Sequence, residues 1–303
     1  MTEDTAFWDF YWSVRLESME TLGKREAILA GSRLVRRLAA QNGSRARMLE
    51  LGCGEGQIIG ALARAHEAER GTGDSVGVDY LPASLAVCRR NYPKLRFIQG
   101  DFTDPALLES LGTFDLLLLV NALHEVFSAA YTEELGEVDV DEGKRRVRQA
   151  LARAAERLAP GGLVLLFDGL EPPGSPDDPL RVRFLHPQAR EHFHAFTREY
   201  RPFIIRPRET ADPMVVELTR RDFTRYIDKS IFLGKRLWQT ERLESYQYFT
   251  ETEFREAFEE AGLEIEELRT LTVNEEKWRD TVEIETPGEN FQAEHVLIVG
   301  RRK

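Results

Sequence analysis

Apolar positions along the chain recur at two periods, and the alternation between those periods predicts the architecture. Ile28, Gly31, Leu34, Val35 and Leu38 fall on one side of a helix over residues 24–40. A short apolar strand, RMLEL, follows at 47–51, and helical spacing returns over 57–67. SVGVD (75–79) predicts a second strand, after which Pro82 opens a helix at a favourable first-turn position. LRFIQGD (95–101) is the third strand. FDLLLLV (114–120) is apolar throughout, as expected of a parallel strand buried on both faces. Val147, Ala150, Leu151, Ala154 and Leu158 make one stripe of a helix over 143–158, which APGG stops before the buried strand LVLLFD (163–168). Strands alternating with helices at this pitch predict an α/β fold, a parallel sheet covered by helices on both sides.

The alternation then breaks. EPPGSPDDP (171–179) reads as a long turn or linker. From there to residue 247 the chain is rich in arginine and aromatics, with helical tendency and no strand alternation, and is expected to be a mainly helical insertion packed over the sheet. The α/β pattern resumes at Thr250, which has capping-box spacing to Glu253; Phe254, Ala257, Phe258 and Ala261 form the buried stripe and Gly262 ends the helix. LEIEEL and HVLIVG (295–300) are the last predicted strands. TVEIETPGENF, in the long connection between them, is expected to add a β-arm.

Composition narrows the class without naming it. Across 303 residues, hydrophobic side chains make up 42% and charged ones 31%, which describes an ordinary globular chain. No run reaches the roughly 18 to 20 apolar residues that span a bilayer. The start, MTEDTAFWDFYW, is acidic and lacks the basic-then-apolar layout of a secretory signal. Two cysteines, Cys53 and Cys88, make neither a disulfide framework nor metal-ligand spacing, so a cytoplasmic setting is expected. A net charge of −11 argues against nucleic acid as the main substrate, because phosphate neutralisation needs a basic face.

The candidate chemistry starts at LELGCGEG. Gly52, Gly54 and Gly56 sit between a strand and a helix, where glycine lets the backbone turn tightly and lets a ligand touch the main chain. The spacing is neither G-x-G-x-x-G nor a Walker loop, and no Lys-Ser/Thr follows. Glu50, just before the glycines, suits a ligand carrying an ammonium or sulfonium group better than one presenting pyrophosphate.

With three further segments in register, this motif resembles the class I (Rossmann-like) S-adenosylmethionine-dependent methyltransferase family. The matching segments are GVDYLPASL, QGDFTD, and FDLLLLVNALHEVF with LAPGGLVLLFD. The resemblance covers residues 47–168 and, more loosely, 248–300. It implies a doubly wound, mostly parallel seven-stranded sheet whose last strand runs antiparallel. It also implies S-adenosyl-L-methionine as cofactor. The implied contacts are Glu50, Gly52, Cys53, Gly54 and Gly56 in the loop, Asp79 on the ribose with Tyr80 beside it, Asp101 and Phe102 flanking the adenine, and Asn121 near the methyl group. The organisation that follows is an N-terminal helical lid (1–45), the cofactor-binding core (46–170), a helical substrate cap between strands five and six (171–247), and a C-terminal completion of the sheet (248–303).

His124 and Glu125 are the candidate catalytic pair, since an acceptor must lose a proton near the transition state and His has a suitable pKa; a pocket wall or a satisfied histidine at a helix start is the competing reading. Cys53 reads as a small filler rather than a nucleophile. FWDFYW (7–12) is expected to fold over the site and bring Tyr11 and Trp12, with His124, to the substrate; an aromatic staple in the core is the alternative. His186, His192 and His194 diverge on a helix and do not read as metal ligands. The expected activity is methyl transfer to a small-molecule acceptor. The rivals are a protein that holds the cofactor without turnover, a methyltransferase for protein or RNA, and, least favoured by the glycine spacing, a nicotinamide dehydrogenase. A homodimer is allowed, and no membrane partner is expected.

Overall fold

The computed structural model describes residues 22–42, 46–67, 74–272 and 278–303. Its centre is a sheet built from β1 (Met48–Leu51), β2 (Val76–Asp79), β3 (Arg96–Gln99), β4 (Phe114–Val120), β7 (Leu158–Gly169), β11 (Leu263–Leu271) and β13 (His295–Arg302). Two short strands, β5 (Tyr131–Thr132) and β6 (Glu137–Val138), pair with each other outside it. The spatial order is β11-β13-β7-β4-β1-β2-β3. Adjacent pairs are parallel except where β13 runs antiparallel between β7 and β11. This is the seven-stranded, mostly parallel sheet expected, with the last strand of the chain reversed. The chain builds outward from β1 to β3 and then returns to β4, so the switch point lies between β1 and β4.

Side-chain alternation on β4 separates the two cores. Leu116, Leu118 and Val120 face one side and Leu117 and Leu119 the other. The first side packs against α1 (Leu22–Asn42), α2 (Gln57–Glu67) and α3 (Pro82–Asn91), through Ala27, Leu34, Ile59, Leu62 and Leu85. Between β3 and β4 lies α4 (Pro105–Ser110), and after β4 comes α5 (Leu123–Ser128). The second side packs against α6 (Val140–Ala155) and, from the C-terminal part, a helix over Glu251–Glu260 that carries the expected capping box. Each of these wholly buried leucines contributes about 1.5–3 kcal/mol. The described part of the 1–45 segment is therefore a core helix beneath the sheet. A lid role for the remainder falls outside the described residues, as do Tyr11 and Trp12.

The insertion departs from the helical reading. It holds α7 (Pro187–Glu199), α8 (Arg220–Lys229) and α9 (Trp238–Glu241), but also β8 (Pro179–Phe184), β9 (Arg208–Glu209) and β10 (Val215–Thr219). With β12 (Val282–Ile284), which is the expected β-arm, these strands make an antiparallel sheet ordered β12-β8-β10-β9. The strand signal in PLRVRF is an alternation of buried Leu180, Val182 and Phe184 with more exposed arginines. Arg181 and Arg183 pair with Glu285 at 2.8 and 2.5 Å, so the polar face is an ion-pair ladder rather than a helix surface. Aromatic side chains fill the insertion's own core, Phe193 meeting Tyr226 edge-to-face at 5.0 Å. No helix among the described residues is long and apolar enough to cross a membrane.

The insertion returns to the sheet across the end of β7. A Cβ on Gly169 would collide with the backbone of Tyr246, so only glycine lets these two segments meet. We expect Gly169→Ala to lower the unfolding free energy by about 1–3 kcal/mol in urea titrations, as overpacking does; an unchanged midpoint would contradict the observed contact.

Candidate functional site

The glycine loop follows β1 at the switch point. Gly52, Gly54 and Gly56 all adopt positive φ, at 72°, 52° and 73°. Gly52 and Cys53 both donate to the Val78 carbonyl at 2.9 Å, which folds the loop over the end of β2. A Cβ at Gly52 would come within 2.9 Å of that of Ala122, so the bare backbone there is obligatory. Two carboxylates fasten the loop. Asp79 accepts from Gly54 N and Leu81 N, both at 2.8 Å, and Glu50, 2% exposed, accepts from Ile59 N at 3.0 Å in the first turn of α2. Each carboxylate oxygen has more than one acceptor direction, so these bonds do not exhaust either group.

Beyond the strand ends lies a cavity of about 1060 Å³. It brings together most of the residues singled out in the sequence: Glu50, Gly52, Cys53, Gly54, Asp79, Tyr80, Asp101, Phe102, Asn121 and Glu125. Asn121 has the positive φ of 51° that lets the chain turn off β4, and its N–H donates to the Phe167 carbonyl at 2.8 Å. Asp101 is exposed at the rim, its Oδ1 accepting from Thr103 N at 2.8 Å, while Phe102 presents a nearly buried ring. The opposite wall comes from the polar stripe of α6, including Glu142, Arg145, Gln149 and Arg153, and from Thr240, Leu243 and Glu244 of the insertion.

Residues 48–139 match a family model described as a methyltransferase domain. By this match the segment is a methyltransferase domain. No curated protein matches the chain in sequence. Among solved structures, an S-adenosylmethionine dependent methyltransferase from Mesorhizobium loti is 17% identical at a TM-score of 0.50, over 94% of this chain and 100% of that one. An O-methyltransferase family protein from Burkholderia thailandensis is 15% identical at a TM-score of 0.50. That match covers 95% of this chain but only 58% of its own. An O-methyltransferase family 2 protein from Planctomyces limnophilus, solved with apigenin, is 13% identical at a TM-score of 0.53, over 100% of this chain and 62% of that one. At such identities the likeness shows the fold and nothing finer.

Two predicted site residues take other positions in the methyltransferase domain. Gly56 does not line the cavity; its bare Cα lies against Phe97 and Cys88, so it serves the turn. His124 does not line it either. It is 1% exposed and sits behind the wall, its Nδ1 2.8 Å from Asp168 Oδ1. Asp168, 0% exposed, also accepts from Leu123 N at 2.9 Å and Gly169 N at 2.9 Å. The cavity instead meets Glu244, whose Oε2 lies 3.8 Å from His124 Nε2. Sequence reading passed over both acids. Asp168 closes a strand as many turn residues do, and Glu244 sits 120 positions from His124 with no motif around it. The polar stripe of α6 was legible as the complement of its apolar one. Cys53 lines the cavity, and the Cys88 thiol beside it, burial, and the Glu50 charge all push its pKa up, which disfavours the thiolate. His186, His192 and His194 do not reach the cavity. Ligand-type atoms of Asp228, Glu294 and His295 converge instead within 4.8 Å in the buried interior.

Burial pulls the His124 pKa down, but the Asp168 charge and hydrogen bond, with Glu244 and Glu125, more than offset it, so the value is raised above 6.5. A raised folded-state value means that protonated His124 stabilises the fold fully below about pH 6.5 and that this contribution is lost as pH rises through the raised value. The stability gap between the unaltered protein and His124→Gln should therefore narrow as pH climbs above about 6.5. Urea unfolding over that range checks it, and a gap that widens with pH would contradict the assignment.

Proposed function

We propose that the protein is an S-adenosylmethionine-dependent methyltransferase acting on a small-molecule acceptor by in-line displacement. The observation that carries this reading is the composite cavity. One wall is the glycine loop with Asp79 and Phe102; the other belongs to α6 and the insertion. Its 1060 Å³ stands at the upper end of the usual range for ligand pockets, room enough for a nucleoside cofactor and a second ligand together.

The residues present fit the cofactor. Asp79, at the end of β2, offers a carboxylate to a ribose diol, and Phe102 offers a ring face to a base. Glu50, Glu55, Asp79, Glu125 and Glu244 give the cavity a carboxylate-rich lining that favours a cation over pyrophosphate. When bound, S-adenosylmethionine supplies a methyl group on an electrophilic sulfonium. The protein's share is alignment and exclusion of water: the loop and Asn121 fix one partner, and the insertion closes over the other.

Asp79→Ala should weaken S-adenosylmethionine binding by at least about 100-fold, the value of two hydrogen bonds to a charged group. Isothermal titration calorimetry on the folded variant checks this. Undiminished affinity, or no affinity in the unaltered protein, would overturn the reading.

A further inference from the structure

We propose that Glu244 is the group that takes the proton from the methyl acceptor and passes it to His124, with Asp168 as the positioning residue behind them. This rests on the methyl-transfer reading above and names the acceptor chemistry of the same site.

Two acids with a histidine between them stand in line from the cavity inward. Glu244, brought by the insertion, lines the cavity with its side chain 27% exposed, whereas His124 and Asp168 behind it are 1% and 0% exposed. Asp168 as a carboxylate can only accept, so the proton on His124 sits on Nδ1 and the neutral ring turns the Nε2 lone pair toward Glu244. Asp168 is itself locked by the backbone N–H groups of Leu123 and Gly169, which leaves the imidazole one orientation. His124 Nε2 is buried and has no hydrogen-bond partner among the described residues. At 3.8 Å from Glu244 Oε2, a small side-chain adjustment of Glu244 completes the link.

The surroundings tune this line without crossing it. Lys229, 0% exposed, donates to Glu241 at 2.6 Å and lies 3.7 Å from Glu244, so a cationic side chain stands beside the cavity end of the line. The Tyr246 ring meets His124 edge-on at 4.5 Å, and Lys229 Nζ lies 3.7 Å from that ring's centre. Glu125, next to His124 on α5, adds a second charge on the cavity side, and the Tyr248 phenol, pushed up by burial and by Asp168, stays neutral behind them. His295 lies farther off, beyond Tyr246.

In the balanced step the acceptor atom uses its lone pair to bond the methyl carbon, and the sulfur–carbon bond of the donor breaks with its pair kept by sulfur. The acceptor proton moves to Glu244 and on to His124 Nε2, leaving an imidazolium paired with Asp168. Such a relay helps an acceptor whose proton is held near pH 10, a phenol or an ammonium. A carboxylate acceptor, which has no proton to lose at neutrality, would gain nothing from it.

The test has two readouts. In protein labelled with ¹⁵N-histidine, the His124 resonance is assigned by its loss in His124→Gln. Its midpoint should fall by about 1 unit or more in Glu244→Gln, the effect of an opposite charge at this range. An unmoved midpoint overturns the proposal. Initial rates with phenol and with benzylamine should rise with pH through the His124 midpoint in the unaltered protein. Glu244→Gln and His124→Gln should each lose about 100-fold or more near neutrality and recover toward about pH 10, where the acceptor sheds its own proton. A loss that stays constant with pH marks a structural role and overturns the relay, as does failure of the unaltered protein to methylate either probe. Calorimetry with S-adenosylmethionine on the unaltered protein keeps the readings apart: binding without a relay signature refutes only the relay, and no binding refutes the methyl-transfer reading itself.

Discussion

A buried carboxylate needs several hydrogen-bond donors, and the site is arranged around that requirement at Asp168. An isolated ionised carboxylate in the interior costs many kcal/mol. Here the end of β7, the first turn of α5 and the His124 ring all turn N–H groups toward it. Satisfying one group thereby fixes three segments at once: the last residues of a central strand, the chain leaving β4, and the histidine between sheet and insertion. The insertion then packs against the far side of that histidine through Tyr246 and Glu244. Placement of the cap over the cavity is, in this sense, a consequence of burying one charge.

The opposite wall follows the same economy by different means. Asp79 and Glu50 are tied to backbone N–H groups of the glycine loop and of α2, so the acids that face a ligand also hold the loop that receives it. Removing either changes shape and chemistry together. The positive φ values of Gly52 and Asn121 show why the strand ends can approach so closely at the switch point.

Much of this was written in the chain's local patterns. Continuous apolar runs marked the doubly buried strands, the Thr250–Glu253 box marked a helix start, and three glycines after β1 marked the loop. Features that depend on distant partners were silent. PLRVRF fell within a stretch read as mainly helical, because Glu285, the other half of its ladder, lies over a hundred residues away. His124 was legible as a titratable residue, but its direction is set by Asp168, 44 positions later, and Glu244, which its Nε2 faces, lies farther off still. Gly56 belonged to the motif by spacing yet answers to Phe97 and Cys88 rather than to a ligand.

The strand Val282–Ile284 gives the molecule one further property. It leaves the core between its last two strands, joins the edge of the insertion's sheet, and returns, while Trp278 beside it donates to the Ile227 carbonyl at 2.9 Å. The cap is thus sewn to the body by two separate crossings of the chain and does not hang from a single hinge. A transplant of residues 171–247 alone into another scaffold would leave an unsealed sheet edge, because the layer over the cavity is made of two stretches of sequence that are complete only together.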